Sequence, residues 1–355
     1  MRVGLFVDTL NIGGAETLVV DLGQALRAQG VDAVVLHFGN TELVARCARC
    51  DVPTLPLPAY RDFKAFVRLP RFAVKFARFL RAQDIDLLHS HLFGPIVAGA
   101  FAARLASIRH VGTLHDQLMI DEVPGRIRQL QVAALMGTRL VAVSEITSSV
   151  YRKRGWFPRG EPATIYNGIA IAEPAPKDDS PPVQLISVGR LVSLKRYDRL
   201  IRVFAEVARS RSATLRIVGD GPERESLEKL AERAAAPIEF IGHVTDVSRY
   251  LAQAHAFALT SDTEALSRSV LEAMGAGLPC VVTDVGGNRE LVQDGETGFV
   301  VPAEDESLLV SRLDELLGDA TLRRTMGRAG WRRAHHRFSL KSCAEAYAGL
   351  YSEIV

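Results

Sequence analysis

The sequence predicts an α/β protein built from two doubly wound domains facing a central cleft. Three observations carry that expectation. Short apolar runs alternate with longer amphipathic ones from the first residues onward, the rhythm breaks once after Asn167-Gly168 and then resumes, and 355 residues with 48% hydrophobic content suffice for two ordinary cores.

The elements follow in order. Residues 3–7, 33–37, 87–89, 110–114 and 140–143 are apolar on both faces, which suits parallel strands covered on both sides. Between them, 15–29, 41–49, 69–83, 96–107 and 126–136 have helical patterning, giving a βαβ rhythm. The stretch AEPAPKDDSPP, ending at Pro182, has proline and charge without periodicity, so 173–182 is expected to be a linker between domains at 1–172 and 183–337. Strands are expected again at 184–188, 214–218, 238–241, 256–259, 279–283 and 299–301. In sheets of this kind ligands bind outside the carboxyl ends of the strands, so functional residues belong on the strand-to-helix loops.

The totals exclude several function classes. A formal net charge of +2 gives no bulk attraction to nucleic acid. Met1-Arg2 leads straight into a strand rather than a signal peptide, and no apolar run approaches the ~18 residues of a membrane span, so a cytoplasmic protein is expected. Cys47 and Cys50 form a lone CxxC without a second pair, and with Cys280 and Cys343 they read as reduced thiols.

Chemistry concentrates in SDTEALSRSVLEAMGAGLPCVVTDVGGNREL, residues 261–291. Residues 269–276 suit a short helix closed by Gly277 and Pro279, with Glu264 ahead of its first turn, Glu272 on its second and the pair Gly286-Gly287 on the loop beyond. The N–H groups and dipole at such a helix start, near Ser269 and Val270, attract phosphate. Arg190 and Lys195 leave the first strand of the second domain on one loop, where two cations can neutralise a diphosphate; no DxD-like metal pair stands out, and neither metal nor cofactor is expected. In the first domain, Gly13 and Gly14 allow a ligand to approach the backbone at a helix start. His115 closes the strand at 110–114. Gly219-Asp-Gly-Pro222 reads as a strand-to-helix turn with Pro222 in the first helical position. Arg71, Lys75 and Arg78 line a helix beside Phe72, Phe76 and Phe79, which fits either an ordinary sheet-packing helix with a solvated basic face or a helix lying on an anionic membrane.

Taken together, the glutamates at 264 and 272, AMGAGLPCVVTDVGGNRELVQDGETGFVVP, the GGAE at 13–16, TLHD at 113–116 and the GRL…K…D from 189 to 198 resemble the retaining glycosyltransferases of family 4, which have the GT-B fold. The resemblance is dense over 261–302 and weaker along nearly the whole chain. It implies two Rossmann-like domains, with a final helix at 338–355 returning to the first. It also implies a nucleoside diphosphate sugar as co-substrate and transfer to a hydroxyl of a glycan or lipid-linked acceptor, in cell-surface polysaccharide or glycolipid synthesis and possible contact with the inner membrane surface. Catalytic roles then fall to His115, Glu264, Arg190 and Lys195, and donor binding to Gly13, Gly14, Arg190, Lys195, Glu264, Ser269, Val270 and Glu272. UDP, GDP and ADP donors all fit, and His115 could orient the sugar or move a proton. One departure stands out: Ala265 occupies a place where the family often has glycine. A sugar-nucleotide epimerase and a non-catalytic nucleotide-sugar-binding scaffold subunit are the rival readings.

Overall fold

The computed structural model describes residues 1–8, 13–116, 125–157, 160–174, 178 and 180–354. The chain forms two compact units, Met1–Gly168 with Leu340–Val355, and Ile169–Ser339. The division falls ahead of residue 172 because Ile169 is already bonded into the second unit: it is 3% exposed, its N–H donates to the Phe338 carbonyl at 3.0 Å, and it bridges to Ser339. Of the stretch expected as a linker, residues 175–177 and 179 lie outside the described residues.

Unit 1 holds a parallel sheet of β1 (Arg2–Phe6), β2 (Asp32–His37), β3 (Thr54–Pro56), β4 (Leu87–His91), β5 (Arg109–Leu114), β6 (Thr138–Ala142) and β7 (Ala163–Thr164), in the order β3-β2-β1-β4-β5-β6-β7. Alternate strand residues face opposite sides. Val3 and Leu5 of β1 meet the helix Gly14–Ala28 and the helix Leu340–Ile354 on one side. Phe6 of β1 and Leu36 of β2 meet Phe72, Phe76 and Leu80 of the helix Leu69–Ala82 on the other. Each such side chain, buried fully, contributes about 1.5–3 kcal/mol. Helix Leu340–Ile354 presents Cys343, Tyr347, Leu350 and Tyr351 inward, the i, i+4, i+7, i+8 stripe of a one-sided helix.

Unit 2 holds a second parallel sheet: β8 (Val183–Val188), β9 (Ala213–Val218), β10 (Ile238–Gly242), β11 (Ala256–Leu259), β12 (Cys280–Thr283) and β13 (Gly298–Val301), in the order β10-β9-β8-β11-β12-β13. Its core joins Leu215 and Ile217 of β9 to Leu200 and Phe204 of the helix Tyr197–Val207 and to Leu309 and Leu313 of the helix Glu306–Gly318. Pro222 is not in a first helical turn: the helix runs Arg224–Ala234 after Glu223, whose N–H is held by the Leu191 carbonyl at 3.1 Å.

In both sheets the strand order reverses once, between β1 and β4 and between β8 and β11. These are the points where strand-to-helix loops diverge and leave a crevice. The four cysteines are free thiols; burial pushes Cys47 up to about 11.

Candidate active site

In unit 2 two loops leave the paired strands β8 and β11 and are tied together. Lys195 ends the single 3-10 turn Ser193–Lys195, and its Nζ donates to Glu264 Oε1 at 2.5 Å. The Ser261 hydroxyl donates to the same oxygen at 2.8 Å. Glu264 Oε2 takes no hydrogen bond among the described residues. The pair is partly screened from water, with side chains 20% and 10% exposed.

A charge clamp holds this pair, and sequence reasoning missed it. Arg199, only 5% exposed, donates to the Thr260 carbonyl at 2.9 Å and to Asp262 at 3.0 Å. Arg196 grips both Asp198 and Asp262, the Asp262 N–H donates to the Leu194 carbonyl at 2.9 Å, and the Thr260 hydroxyl donates to the Arg196 carbonyl at 2.9 Å. The signal that could have found it is the cation-rich run from Lys195 to Arg202, with Asp198 its one acid, set against an aspartate two residues before Glu264. Such a clamp fixes a loop carrying a cation to a loop carrying a carboxylate before any ligand arrives.

Gly286 packs against the backbone of Glu264. Its backbone has φ +51°, and a Cβ built there would lie 1.4 Å from the Glu264 carbonyl oxygen. The next residue, Gly287, donates its N–H to the Ala265 carbonyl at 3.1 Å. The glycine pair therefore supports the backbone of Glu264 and Ala265.

The helix beyond runs Arg268–Gly275 with Ser267 as its N-cap. The Ser267 hydroxyl accepts from the Val270 N–H at 3.4 Å, and Val270 is fully buried. Of the two residues expected to offer amides to a diphosphate, Val270 thus has its donor already engaged, while Ser269 remains half-buried with its hydroxyl 3.2 Å from that of Ser267. Glu272 does lie on the second turn, where Arg268 donates to Glu272 Oε1 at 2.7 Å. The two glutamates are thus held by different cations. Arg190 is exposed and makes no ion pair among the described residues. It stands ready for an anion, whereas Lys195 is already committed to Glu264.

In unit 1 the loop after β1 is described only at Asp8 and from Gly13; residues 9–12 of the predicted glycine loop lie outside the described residues. Gly13 caps the helix Gly14–Ala28, and the buried carboxylate of Glu16 accepts from the Gly13 N–H at 2.7 Å, as the returning half of a capping box. Gly14 is exposed at the first turn. His115 follows β5, and His91 ends β4; His91 Nδ1 lies 3.1 Å from His115 Nε2. Burial lowers His115 to about 4, so its imidazole is neutral at pH 7. Behind it, His89 is completely buried and holds Tyr351 Oη at 2.6 Å through Nδ1 and Thr113 Oγ1 at 2.7 Å through Nε2.

Comparison with known proteins sets a frame for this geometry. The family model of glycosyl transferases group 1 matches residues 171–333, and that of glycosyltransferase family 4 matches residues 12–173. N-acetyl-alpha-D-glucosaminyl L-malate synthase of Bacillus anthracis is 24% identical over 97% of this chain and 95% of the relative. The lipopolysaccharide core biosynthesis glycosyltransferase LpsD of Rhizobium meliloti is 27% identical over 96% and 95%. Among solved structures, Anabaena HepE in complex with UDP and glucose superposes with a TM-score of 0.85 at 22% identity, over 99% of this chain and all of that one. Two parallel sheets with flanking helices, joined to paired family models that meet near residue 171 and run from 12 to 333, make the fold GT-B and the chain a glycosyltransferase of family 4.

Proposed function

We propose that this glycosyltransferase moves a hexose-type sugar from a nucleoside diphosphate sugar to a hydroxyl of a glycan or lipid-linked acceptor, with retention of anomeric configuration and without a metal. The pathway is cell-surface polysaccharide or glycolipid synthesis at the cytoplasmic side of the membrane. The observation that carries the reading is the Lys195–Glu264 pair at the β8/β11 reversal, with Glu264 Oε2 taking no hydrogen bond among the described residues and Arg190 exposed nearby in sequence. As the bond from sugar to diphosphate breaks, negative charge grows on the leaving phosphate and positive character on the ring. Lys195 and Arg190 stabilise the first, and a unit charge pair at 4 Å is worth about 4 kcal/mol at an effective dielectric near 20 before desolvation is subtracted. Glu264 holds the sugar hydroxyls, Glu272 the ribose and the Ser269 amide the phosphate, while His115 with Gly13 and Gly14 serves the reacting sugar. The departing phosphate oxygen itself helps deprotonate the attacking hydroxyl. A nucleoside diphosphate donor is supported by the relative crystallised with UDP and glucose.

The test has two steps. Thermal shift over UDP, GDP, ADP and their sugars selects a donor, since a ligand bound only by the native state raises apparent stability by about 2.7 kcal/mol at 100-fold excess over its Kd. Incubation with that donor and an acceptor is then expected to release nucleoside diphosphate and give a glycoside of unchanged anomeric configuration by proton NMR. An inverted product, or donor isomerised without acceptor, would overturn the proposal.

A peripheral membrane contact is the second part of the reading, favoured by one face of the helix Leu69–Ala82 and the turn before it. Among the described residues no helix is long and apolar enough to cross a membrane. Phe72 and Phe76 are buried in the core, and Lys75 is bonded to Asp62 at 2.7 Å, so neither the aromatic stripe nor Lys75 is free to meet lipid. Val67 is 92% exposed, and Arg71, Val74 and Arg78 continue from it as one exposed stripe of alternating apolar and basic residues, in which Arg71 stays 71% exposed although its Nε lies 3.6 Å from Asp62 Oδ2. Arg71→Gln/Arg78→Gln is expected to weaken sedimentation with phosphatidylglycerol vesicles by about 1 kcal/mol per charge, with no change on pure phosphatidylcholine. Equal sedimentation of variant and parent would remove the membrane contact.

A further inference from the structure

We propose that His91 is a positioning residue that fixes His115 as the Nδ1–H tautomer, making His115 a hydrogen-bond donor in the transfer and not its base. The inference rests on the reading that His115 serves the reacting sugar. It concerns a residue to which that reading gives no part.

The geometry is a chain of rings that runs from buried His89 and His91 to half-buried His115. His91 is completely buried, its ring lies 4.1 Å from that of His89 by centroids, and its Nδ1 is 3.1 Å from His115 Nε2. His89 cannot move aside, since Tyr351 Oη and Thr113 Oγ1 hold both its nitrogens and Thr113 Oγ1 is also 2.9 Å from Tyr347 Oη. Two tyrosines of the helix Leu340–Ile354 thus fix the ring on which His91 rests. On the other side, Leu92 takes the left-handed φ of +73° and donates its N–H to the Thr113 carbonyl at 3.3 Å, so the backbone turns sharply immediately after His91.

One hydrogen lies between the facing nitrogens of His91 and His115, and only two neutral arrangements exist. Burial keeps both rings uncharged. In the first, His115 Nε2–H donates to His91 Nδ1, which leaves the His91 hydrogen on Nε2. His91 Nε2 is buried without a hydrogen-bond partner among the described residues, so this arrangement strands an N–H donor away from water. In the second, His91 Nδ1–H donates to His115 Nε2, and the stranded atom is a bare imine nitrogen. Orphaned buried N–H groups are rarer than under-satisfied acceptors, which selects the second arrangement. His115 then carries its own hydrogen on Nδ1, against the ordinary preference of imidazole side chains for Nε2–H. With Nε2 occupied and Nδ1 protonated, His115 has no lone pair free to take a proton from an acceptor hydroxyl. It donates to a substrate oxygen instead.

The experiment uses the full chain labelled with 15N-histidine. Long-range proton–nitrogen correlation at pH 7.5, with His115→Asn to assign the signal, is expected to show His115 as Nδ1–H; an Nε2–H pattern overturns the proposal without touching the donor-site reading, because no turnover is involved. His91→Phe is expected to return His115 to Nε2–H and to lower kcat about tenfold with donor KM held within about twofold. His91→Asn places an amide N–H where Nδ1–H stood and is expected to restore most of the lost kcat. Equal losses in His91→Phe and His91→Asn would reduce His91 to packing and overturn the proposal. Wild-type turnover by His115→Ala would instead sink the role of His115 itself, whichever tautomer is found.

Discussion

Lys195→Ala is expected to lower kcat/KM for the sugar donor by about 10²–10³-fold, the usual cost of removing one preorganised group from developing negative charge. The structure adds a second effect. Lys195 is bonded to Glu264 at 2.5 Å with both side chains largely withdrawn from water, so its loss leaves the carboxylate with only the Ser261 hydroxyl. Glu264 should then swing away, and the sugar contact should weaken along with the phosphate contact. The two residues are therefore expected to be non-additive: Glu264→Gln should cost much less in a Lys195→Ala background than in the parent, with a coupling of about 1–3 kcal/mol in a double-mutant cycle. Stability should fall by about 3 kcal/mol, because the carboxylate is left without its cation where little water reaches it, while Arg196 and Arg199 still hold the loops through Asp262. Steady-state kinetics with thermal melts of the four proteins checks this. Parent-like kcat/KM in Lys195→Ala, or strictly additive losses, would refute the coupled site.

The second large effect is expected from Gly286→Ala. The position needs a positive φ of 51°, and the new methyl would lie within bonding distance of the Glu264 carbonyl. No rotamer relieves that contact, since it is made by Cβ and backbone. Either the 284–287 loop or the backbone of Glu264 must move, at about 3 kcal/mol in stability. Displacing Glu264 by even an ångström costs about 10²-fold in turnover. Gly295→Ala is the control: it shares the positive φ but has open space around its Cβ, so it should show backbone strain alone, near 1 kcal/mol, with activity retained. Comparing melting temperature and kcat for the two variants separates strain from loss of the site; equal behaviour would mean that Gly286 does not support Glu264.

Most of the parallel strands were legible because they are apolar on both faces, and the helices because their buried stripes recur at helical spacing. Thr54–Pro56 and Ala163–Thr164 were not, since edge strands of three and two residues show no period to detect. Within the site, Glu264 and Lys195 stood out as motif residues, but their bond did not: it joins positions 69 apart in sequence and exists only because β8 and β11 are neighbours in the sheet. The same limit applied to Val270, whose capped amide depends on a Ser267 rotamer, and to Lys75, whose charge is spent on Asp62. A role for His91 was not legible, because a histidine's neighbours on adjacent strands are set by topology, and β4 beside β5 brings it to His115. Ala265 needed coordinates to be placed at all, since what matters is its carbonyl, held by Gly287.

The helix Leu340–Ile354 has a consequence for the order in which the molecule is made. A ribosome releases β1 to β7 first, then all of unit 2, and only afterwards the residues that cover Val3 and Leu5 and supply Tyr347 and Tyr351. Until then that apolar side of the first sheet is only partly covered, by the helix Gly14–Ala28, and His89 lacks its phenol. Nascent unit 1 should behave as a partly assembled body that exposes hydrophobic surface, the kind of species that chaperones hold and that aggregates when they do not. Emergence of the helix Leu340–Ile354, rather than synthesis of the loops after β8 and β11, is then the step that commits the chain to its native state.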